Sequence, residues 1–171
     1  SMENLLSAEG GEELIRSLPK VGVAIVNASS VKLKGHIPTL QKAGADVKFV
    51  VVTEDIQAKN VKIQKESISF EVGGTRFKAL VHGGHNVQNL LLAIAAAREL
   101  GMSLQEIARA CDTITPKLGA LKVKKGINGV TIIDSTYSAN PDGVIADLEY
   151  LSLYEGKKIL IMPCLIELGK A

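Results

Sequence analysis

Gly83-Gly-His-Asn-Val-Gln-Asn89 and, further along, Ile132-Ile-Asp-Ser-Thr-Tyr-Ser-Ala-Asn-Pro-Asp142 are the two most informative stretches of the chain. In the first, two glycines allow a sharp turn and a close approach of backbone to a ligand, and polar residues follow at a helix start, where free amides face outward. In the second, an acidic residue ends a buried strand and a polar loop leads to Pro141 at a helix start. Such a loop lies at the carboxyl edge of an α/β sheet, where these sheets bind ligands.

Each stretch also has a simpler interpretation as local structure. His85 or Asn86 would then only cap a buried helix, and Asn140 would only cap the helix that begins at Pro141. The residues alone leave the structural and the ligand-binding interpretations open.

Composition limits the class of protein. The 171 residues are 46% hydrophobic, which is enough for a core in one domain or parts of two. A formal charge of +2 with 4% aromatic residues excludes a dedicated nucleic-acid binder. No apolar run reaches the length of a membrane span and no secretory signal opens the chain, so we expect a cytoplasmic protein without a membrane partner.

Cysteines and histidines give no sign of a metal site. Cys111 and Cys164 lack the spacing of a disulfide framework or a zinc site, and we interpret both as core residues. His36 and His82 have no acidic or cysteine partner at ligand spacing, so no metal ligand is predicted.

Apolar patterns predict an α/β fold. Apolar runs at 21–26 and 47–52 are typical of strands buried on both faces of a parallel sheet, with a helix between them at 33–43. Alternating segments at 61–64, 67–72 and 76–81 predict a small antiparallel unit, with a turn at Gly73-Gly74. A further helix is predicted near the start, at 3–18.

The second half continues with helices and a new set of elements. Residues 86–100 predict a helix that is buried on most faces, and Ser103 with Glu106 has the form of a capping box. After a linker at 113–119, strands at 121–123, 130–133 and 158–163 and a helix at 141–153 predict the start of a second β-α-β arrangement.

Together the two opening stretches resemble the Mur ligases, ATP-dependent enzymes that build the peptide stem of peptidoglycan, and most closely the branch that adds D-alanyl-D-alanine. The family patterns are roughly Gly-x-His-Asn-Val-x-Asn and Ile-Asp-Asp-x-Tyr-Asn-Ala-Asn-Pro-Asp. The resemblance implies that residues 1–113 are the C-terminal part of the central ATPase domain, and that residues 114–171 begin a Rossmann-like C-terminal domain. For the parent enzyme it implies ATP and Mg²⁺ as cofactors, with a UDP-muramoyl-peptide and D-alanyl-D-alanine as partners.

The resemblance also implies roles for single residues. It places one set at the nucleotide: His85, Asn86, Asn89, Asp134 and Ser135. It places a second set in the interdomain or substrate loop: Tyr137, Asn140 and Pro141. No catalytic residue and no metal ligand is carried over to this chain.

Several family residues are replaced here, and most of the replacements remove charge. The second aspartate of the loop, which approaches the ribose, is Ser135, and the following asparagine is Ser138. The Gly-Arg of the domain junction is Gly119-Ala120, and the Asn-Ala-Asp-Asp after the first strand ends in Ser29-Ser30. The phosphate-binding pattern Gly-x-x-Gly-Lys-Thr/Ser is absent from the 171 residues. These changes indicate altered or lost nucleotide handling.

Three hypotheses therefore stay open. The first is a piece of a D-alanyl-D-alanine-adding ligase, inactive alone because it lacks the phosphate loop and binding no cofactor tightly. The second is a non-catalytic Mur-like binding or assembly module, and the third is a ligase similar to folylpolyglutamate synthase. The leading Ser1-Met2 is typical of a trimmed piece, and the open sheet edges of such a piece predict self-association.

Overall fold

A computed structural model describes residues 12–28, 31–44, 46–114, 121–136 and 140–165. The helices in these ranges are α1 (Glu12–Arg16), α2 (Val31–Ala43), α3 (Asn86–Glu99), α4 (Leu104–Cys111) and α5 (Pro141–Ser152). The strands are β1 (Val23–Asn27), β2 (Lys48–Val52), β3 (Lys59–Ile63), β4 (Ile68–Val72), β5 (Thr75–Ala79), β6 (Lys122–Lys125) and β7 (Thr131–Asp134). Helices and strands mix along the chain, which confirms the predicted α/β class.

The first of two compact units comprises Ser1–Lys59 and Gln88–Ile107. Its strands β1 and β2 run parallel, with Val23 opposite Lys48 and Asn27 opposite Val52. Parallel neighbours need a crossover connection, and α2 supplies it. The β-α-β arrangement predicted for this part is therefore confirmed.

Burial in this unit is less complete than the apolar runs predict. In β1 only Ala24 is buried, and it packs with Ile15 and Leu40; the remaining residues of the strand are half-buried. In β2 the last three residues are buried. The prediction of burial on both faces is wrong for β1, because among the described residues this sheet has two strands and a strand loses water on both faces only inside a larger covered sheet.

The second unit comprises Asn60–Val87 and Ala108–Ala171, and its sheet has the order β3-β4-β5. Strands β4 and β5 are antiparallel, with Val72 opposite Thr75. Gly73 and Gly74 have φ of 54° and 77°, the two positive angles that a type I′ hairpin turn requires. The rings of Phe70 and Phe77 stack with centroids 5.5 Å apart on the buried face. The antiparallel unit is confirmed.

Helix α3 buries one stripe rather than most of its surface. The buried residues recur at helical spacing on one side: Val87, Leu90, Leu91, Ile94 and Ala95. Asn89 and Ala93 are exposed, so the prediction of burial on most faces is wrong. Alanines make the helix apolar in composition without placing every side in a core.

The capping box of α4 forms as predicted. The backbone N–H of Ser103 donates to Glu106 Oε2 at 2.8 Å, and the N–H of Glu106 donates back to Ser103 Oγ at 3.3 Å. Cys111 at the end of this helix is buried, as predicted, and burial raises the pKa of its thiol. Cys164 is exposed, so its assignment to the core is wrong.

The C-terminal part differs most from expectation. Strands β6 and β7 form an antiparallel hairpin through a short 3-10 turn at Ile127–Gly129. Residues 158–163 belong to no helix or strand, and Ile159 and Ile161 are 70% and 92% exposed. The predicted second β-α-β arrangement is not found in the described residues, because an apolar run becomes a parallel strand only beside a partner strand. Within the same residues no helix has the length and apolarity of a membrane span.

Candidate functional site

A glycine turn begins the predicted nucleotide site. Gly83 has φ of 83°, and a Cβ there would lie 2.8 Å from the His85 ring. A Cβ on Gly84 would lie 2.8 Å from Ile63 Cδ1. The φ of Gly83 is strained for any residue with a Cβ, so the turn favours glycine there, whereas the contact at Gly84 is with the end of a flexible side chain. The turn leads into α3, where the N–H of Asn86 donates to Gly83 O at 3.2 Å.

Asn86 holds this turn with its side-chain amide. Its Nδ2 donates to the carbonyl oxygen of His82 at 2.7 Å and to Nε2 of His85 at 3.1 Å. Because an amide nitrogen only donates, His85 Nε2 accepts in this bond. Asn86 therefore clamps the residues before the helix, a role that neither the simple cap nor the ligand contact had predicted.

The rest of the predicted adenine wall lies along the same helix. His85 is exposed before its first turn, and Asn89 is exposed one turn later. Between them, Gln88 has a buried Oε1 with no hydrogen-bond partner among the described residues. Buried side-chain acceptors are nearly always paired, so this oxygen is an exception among the described residues. Sequence reasoning missed Gln88, although it stands inside the quoted motif.

The carboxylate of Asp134 bonds to two neighbouring side chains. Lys124 Nζ lies 2.7 Å from its Oδ2, and the hydroxyl of Thr136 donates to Oδ1 at 2.8 Å. The Lys124 and Thr136 hydrogen bonds hold the pKa of Asp134 at about 2. A ribose hydroxyl would have to compete with both partners. Ser135, the next residue, is half-buried. Neither contact was predicted: the Lys124 bond is a diagonal one that needs the strand register, and the Thr136 bond is a local one two positions along the chain.

Asn140 caps α5. Its φ and ψ of −133° and 164° are extended, and its Oδ1 accepts from the N–H of Gly143 at 2.8 Å. Pro141 lies in the first turn, where no donor is needed. Asn140 therefore makes the cap that the simpler interpretation predicted, and its role in the interdomain or substrate loop stays a prediction. Tyr137 and Ser138 lie outside the described residues.

A buried cluster that sequence reasoning missed lies in the second unit. Tyr150 on α5 is 1% exposed and its hydroxyl donates to the carbonyl oxygen of Lys65. His82 Nδ1 lies 2.8 Å from the same oxygen, and Tyr154 Oη lies 3.0 Å from Tyr150 Oη. The only signal in the sequence was the presence of two tyrosines, Tyr150 and Tyr154, four positions apart at the end of the predicted helix.

A cavity of about 360 Å³ with a mixed polar and apolar lining opens on the sheet of β3, β4 and β5. Asn60, with φ of 52°, donates from Nδ2 to Glu71 Oε2 at 2.7 Å, and Arg76 lines the same space. The residues around this cavity, at 60–62, 69–71 and 76, include no predicted site residue.

The described residues contain no group of three His, Cys, Asp or Glu side chains that could hold a metal ion. We assign no step to the metal in this part of the chain. The start of α3 presents the exposed side chain of His85 beside the glycine turn.

The sequence is similar to those of Mur ligases. The Mur ligase middle domain model matches residues 1–97. Over 175 residues the chain is 28% identical to the UDP-N-acetylmuramoyl-tripeptide–D-alanyl-D-alanine ligase of Haemophilus influenzae, covering 99% of this chain and 37% of that protein. Over 167 residues it is 30% identical to the UDP-N-acetylmuramate–L-alanine ligase of Endomicrobium trichonymphae, covering 95% of this chain and 36% of that one.

Solved structures give the same fold. The chain superposes on a crystal structure of MurF from Acinetobacter baumannii with a TM-score of 0.78 and 24% identity, covering 91% of this chain and 34% of that one. At that identity the likeness shows the fold alone. The chain spans little more than a third of the length of the curated relatives named above, at 37% and 36%. Because the family model covers residues 1–97 of the 171, more than half of the chain, this protein belongs to the Mur ligase family.

Proposed function

We propose that the chain is part of an ATP-dependent Mur-type ligase of peptidoglycan synthesis that adds D-alanyl-D-alanine to a UDP-muramoyl-peptide. The observation that carries the proposal is the turn at Gly83-Gly84, which brings exposed His85 and the amide of Asn86 to the start of helix α3. The name of the Haemophilus influenzae relative supports the choice of D-alanyl-D-alanine as the added group.

In the proposed reaction a carboxylate oxygen of the muramoyl-peptide attacks the terminal phosphorus of ATP, and ADP leaves. The amine of D-alanyl-D-alanine then attacks the acyl carbon, the bond to the phosphate oxygen breaks, and the amine loses a proton as the amide forms. Preorganised cations and amides stabilise the charge that develops in such steps. In this chain we assign only the adenine wall, His85, Asn86 and Asn89, and the interdomain loop at 134–141.

The proposed domain division follows from the same assignment. Residues 1–113 would form the C-terminal part of the central domain, and residues 114–171 would begin the C-terminal domain. Because the 171 residues lack the phosphate loop, we propose that they have no ligase activity alone. We also propose that the parent enzyme is cytoplasmic. The replacement of the family's aspartate by Ser135 further weakens ribose recognition in this part.

Phosphate release tests the proposal. The full-length protein that contains this chain should release phosphate from ATP only when a UDP-muramoyl-peptide and D-alanyl-D-alanine are both present, and the 171-residue chain should release none. Omission of either substrate is the control. Release by the short chain, or release by the full-length protein that ignores the dipeptide, would contradict the proposal.

A second candidate is a Mur-like module that has lost catalysis and serves in binding or assembly. It is favoured by the neutralisation of Asp134 by Lys124 and by the neutral Ser135. The other neutral replacements, Ser29, Ser30 and Ala120, lie outside the described residues. A parent gene without Gly-x-x-Gly-Lys-Thr upstream would favour this candidate, and an intact loop would favour the ligase. A ligase similar to folylpolyglutamate synthase fits the Tyr137 to Pro141 segment less well.

A further inference from the structure

One backbone oxygen in the second unit receives donors from two different elements. The Tyr150 hydroxyl, from α5, and His82 Nδ1, from the segment before α3, both bond to the carbonyl oxygen of Lys65. A carbonyl oxygen has two lone pairs, so the two bonds can form together. The oxygen therefore joins the helix to the segment that leads into the glycine turn.

Ring contacts reinforce this junction. The rings of Tyr150 and His82 lie 5.5 Å apart at 54°, and Tyr150 Oη is 3.2 Å from His82 Nδ1. Lys65 Nζ lies 4.9 Å from the centre of the Tyr154 ring. Burial raises the pKa of Tyr150, so its hydroxyl stays a hydrogen-bond donor through the neutral range.

His82 carries the connection onward to the candidate site. Its carbonyl oxygen accepts from Asn86 Nδ2 at 2.7 Å, and the same nitrogen donates to His85. A continuous path of hydrogen bonds thus runs from Tyr150 through Lys65 and His82 to Asn86. At its other end, α5 begins at Pro141 and is capped by Asn140.

We infer that Tyr150 is a positioning residue that couples α5 to the Gly83–Asn86 turn, so that the helix behind the Asp134 loop sets the geometry of the proposed adenine wall. If a nucleotide binds at His85 and Asn86, as the proposed function requires, the same coupling would transmit its binding to α5; this consequence rests on the proposed function. The coupling itself belongs to the ligand-free chain. A tyrosine that only fills the core would leave the turn unaffected when its hydroxyl is removed.

Amide hydrogen exchange on the 171-residue protein tests the coupling. Tyr150→Phe removes the hydroxyl and keeps the ring. The N–H groups of Asn86 and Val87, which close the turn on Gly83 and Gly84, should then exchange up to about tenfold faster, the effect of losing one hydrogen bond that supports them. Ser152→Ala is the matched control, because it removes a hydroxyl from the same helix that bonds only to Glu149 O. Unchanged exchange at both amides in a folded Tyr150→Phe protein would overturn the inference.

The reciprocal variant keeps the test decisive if Tyr150→Phe does not fold. Coupling is mutual, so Asn86→Ala should shift the ¹⁵N resonance of His82 Nδ1 and speed exchange at the N–H of Leu153 and Tyr154, which close the end of α5 on Tyr150 and Leu151. No change at α5 would refute the coupling.

Adenosine added to the native chain separates the two proposals. Coupling without adenosine binding would refute only the nucleotide role. Binding at His85 and Asn86 with the resonances of α5 unmoved would refute only the coupling.

Discussion

Lys124 and Asp134 form an ion pair across the hairpin of β6 and β7, with Nζ and Oδ2 2.7 Å apart. Lys122, not Lys124, is the residue directly opposite Asp134 in the strand register, so the pair is a diagonal one. The acidic residue that the family resemblance places at the nucleotide is thus neutralised within its own hairpin.

This pairing predicts how Asp134 titrates. Its pKa falls from an ordinary 3.8 to about 2. Because the folded value is the lower one, the ion pair stabilises the hairpin above the ordinary pKa, and that contribution is lost as pH falls through about 2. A ¹³C titration of the carboxyl carbon should show this midpoint.

Lysine variants supply the control for that titration. Lys124→Met should return the midpoint toward the ordinary value, whereas Lys122→Met should leave it low. Equal effects of the two variants would show that general charge, rather than the bond to Lys124, sets the pKa.

Alanine should have opposite effects on stability at two glycines, Gly83 in the glycine turn and Gly35 in helix α2. At Gly83, with φ of 83°, alanine should destabilise the protein by roughly 1–2 kcal/mol, the cost of a left-handed conformation for a residue with a Cβ. At Gly35, inside α2, an added methyl group would meet no atom within 4 Å, so alanine should stabilise the protein by roughly 0.5–1 kcal/mol. Urea unfolding followed by circular dichroism measures both, and a tolerated alanine at Gly83 would contradict the structural need for the turn.

The cap of α5 predicts a graded series at Asn140. Alanine should cost about 1 kcal/mol of unfolding free energy, because the N–H of Gly143 loses its acceptor. Aspartate keeps an acceptor oxygen and should change stability little. Equal losses for alanine and aspartate would mean that Asn140 acts through its amide nitrogen instead.

The free energy lost with the phosphate loop predicts how tightly this chain binds ATP. A phosphate loop contributes charge-assisted hydrogen bonds of roughly 1.5–3 kcal/mol each, so losing three removes about 5–9 kcal/mol. A micromolar complex represents about 8 kcal/mol. We therefore expect ATP to bind this chain in the millimolar range or not at all, and adenosine to bind about as well, as measured by isothermal titration.

Two variants sharpen that titration. Asn86→Ala should abolish the adenosine signal, because the turn loses its clamp, while Gln57→Ala, an exposed amide outside the motif, should leave it intact. Micromolar ATP with far weaker adenosine would show that phosphate recognition comes from other residues.

The exposed segment at 158–163 predicts self-association. Ile159, Leu160 and Ile161 are 70%, 55% and 92% exposed, and a paired strand would remove them from water. Light scattering should give a mass above 18.1 kDa that rises through the micromolar range. Ile161→Lys should lower it, and Val21→Lys, at another exposed apolar residue, should not. A strictly monomeric native chain would contradict the prediction.

Local structures could be predicted from the residues alone. The turn at Gly73-Gly74, the capping box of Ser103 and Glu106, the start of α3 at Asn86 and the cap at Asn140 all form where the residues predicted them. Each depends on bonds between residues a few positions apart, so the residue types and their spacing carry the information. The parallel β1 and β2 pair was also predictable, because two apolar runs around a helix have few other arrangements.

The contacts that change the interpretation of the site depend instead on how distant parts of the chain pack. The hydroxyl of Tyr150 reaches Lys65 across 85 positions and His82 across 68, distances over which no periodic pattern links residues. The diagonal bond of Lys124 to Asp134 depends on a strand register, and the burial of Gln88 Oε1 depends on what packs around α3. The apolar run at 158–163 shows the same limit, since composition specifies a strand's tendency and only a neighbouring strand can satisfy its backbone.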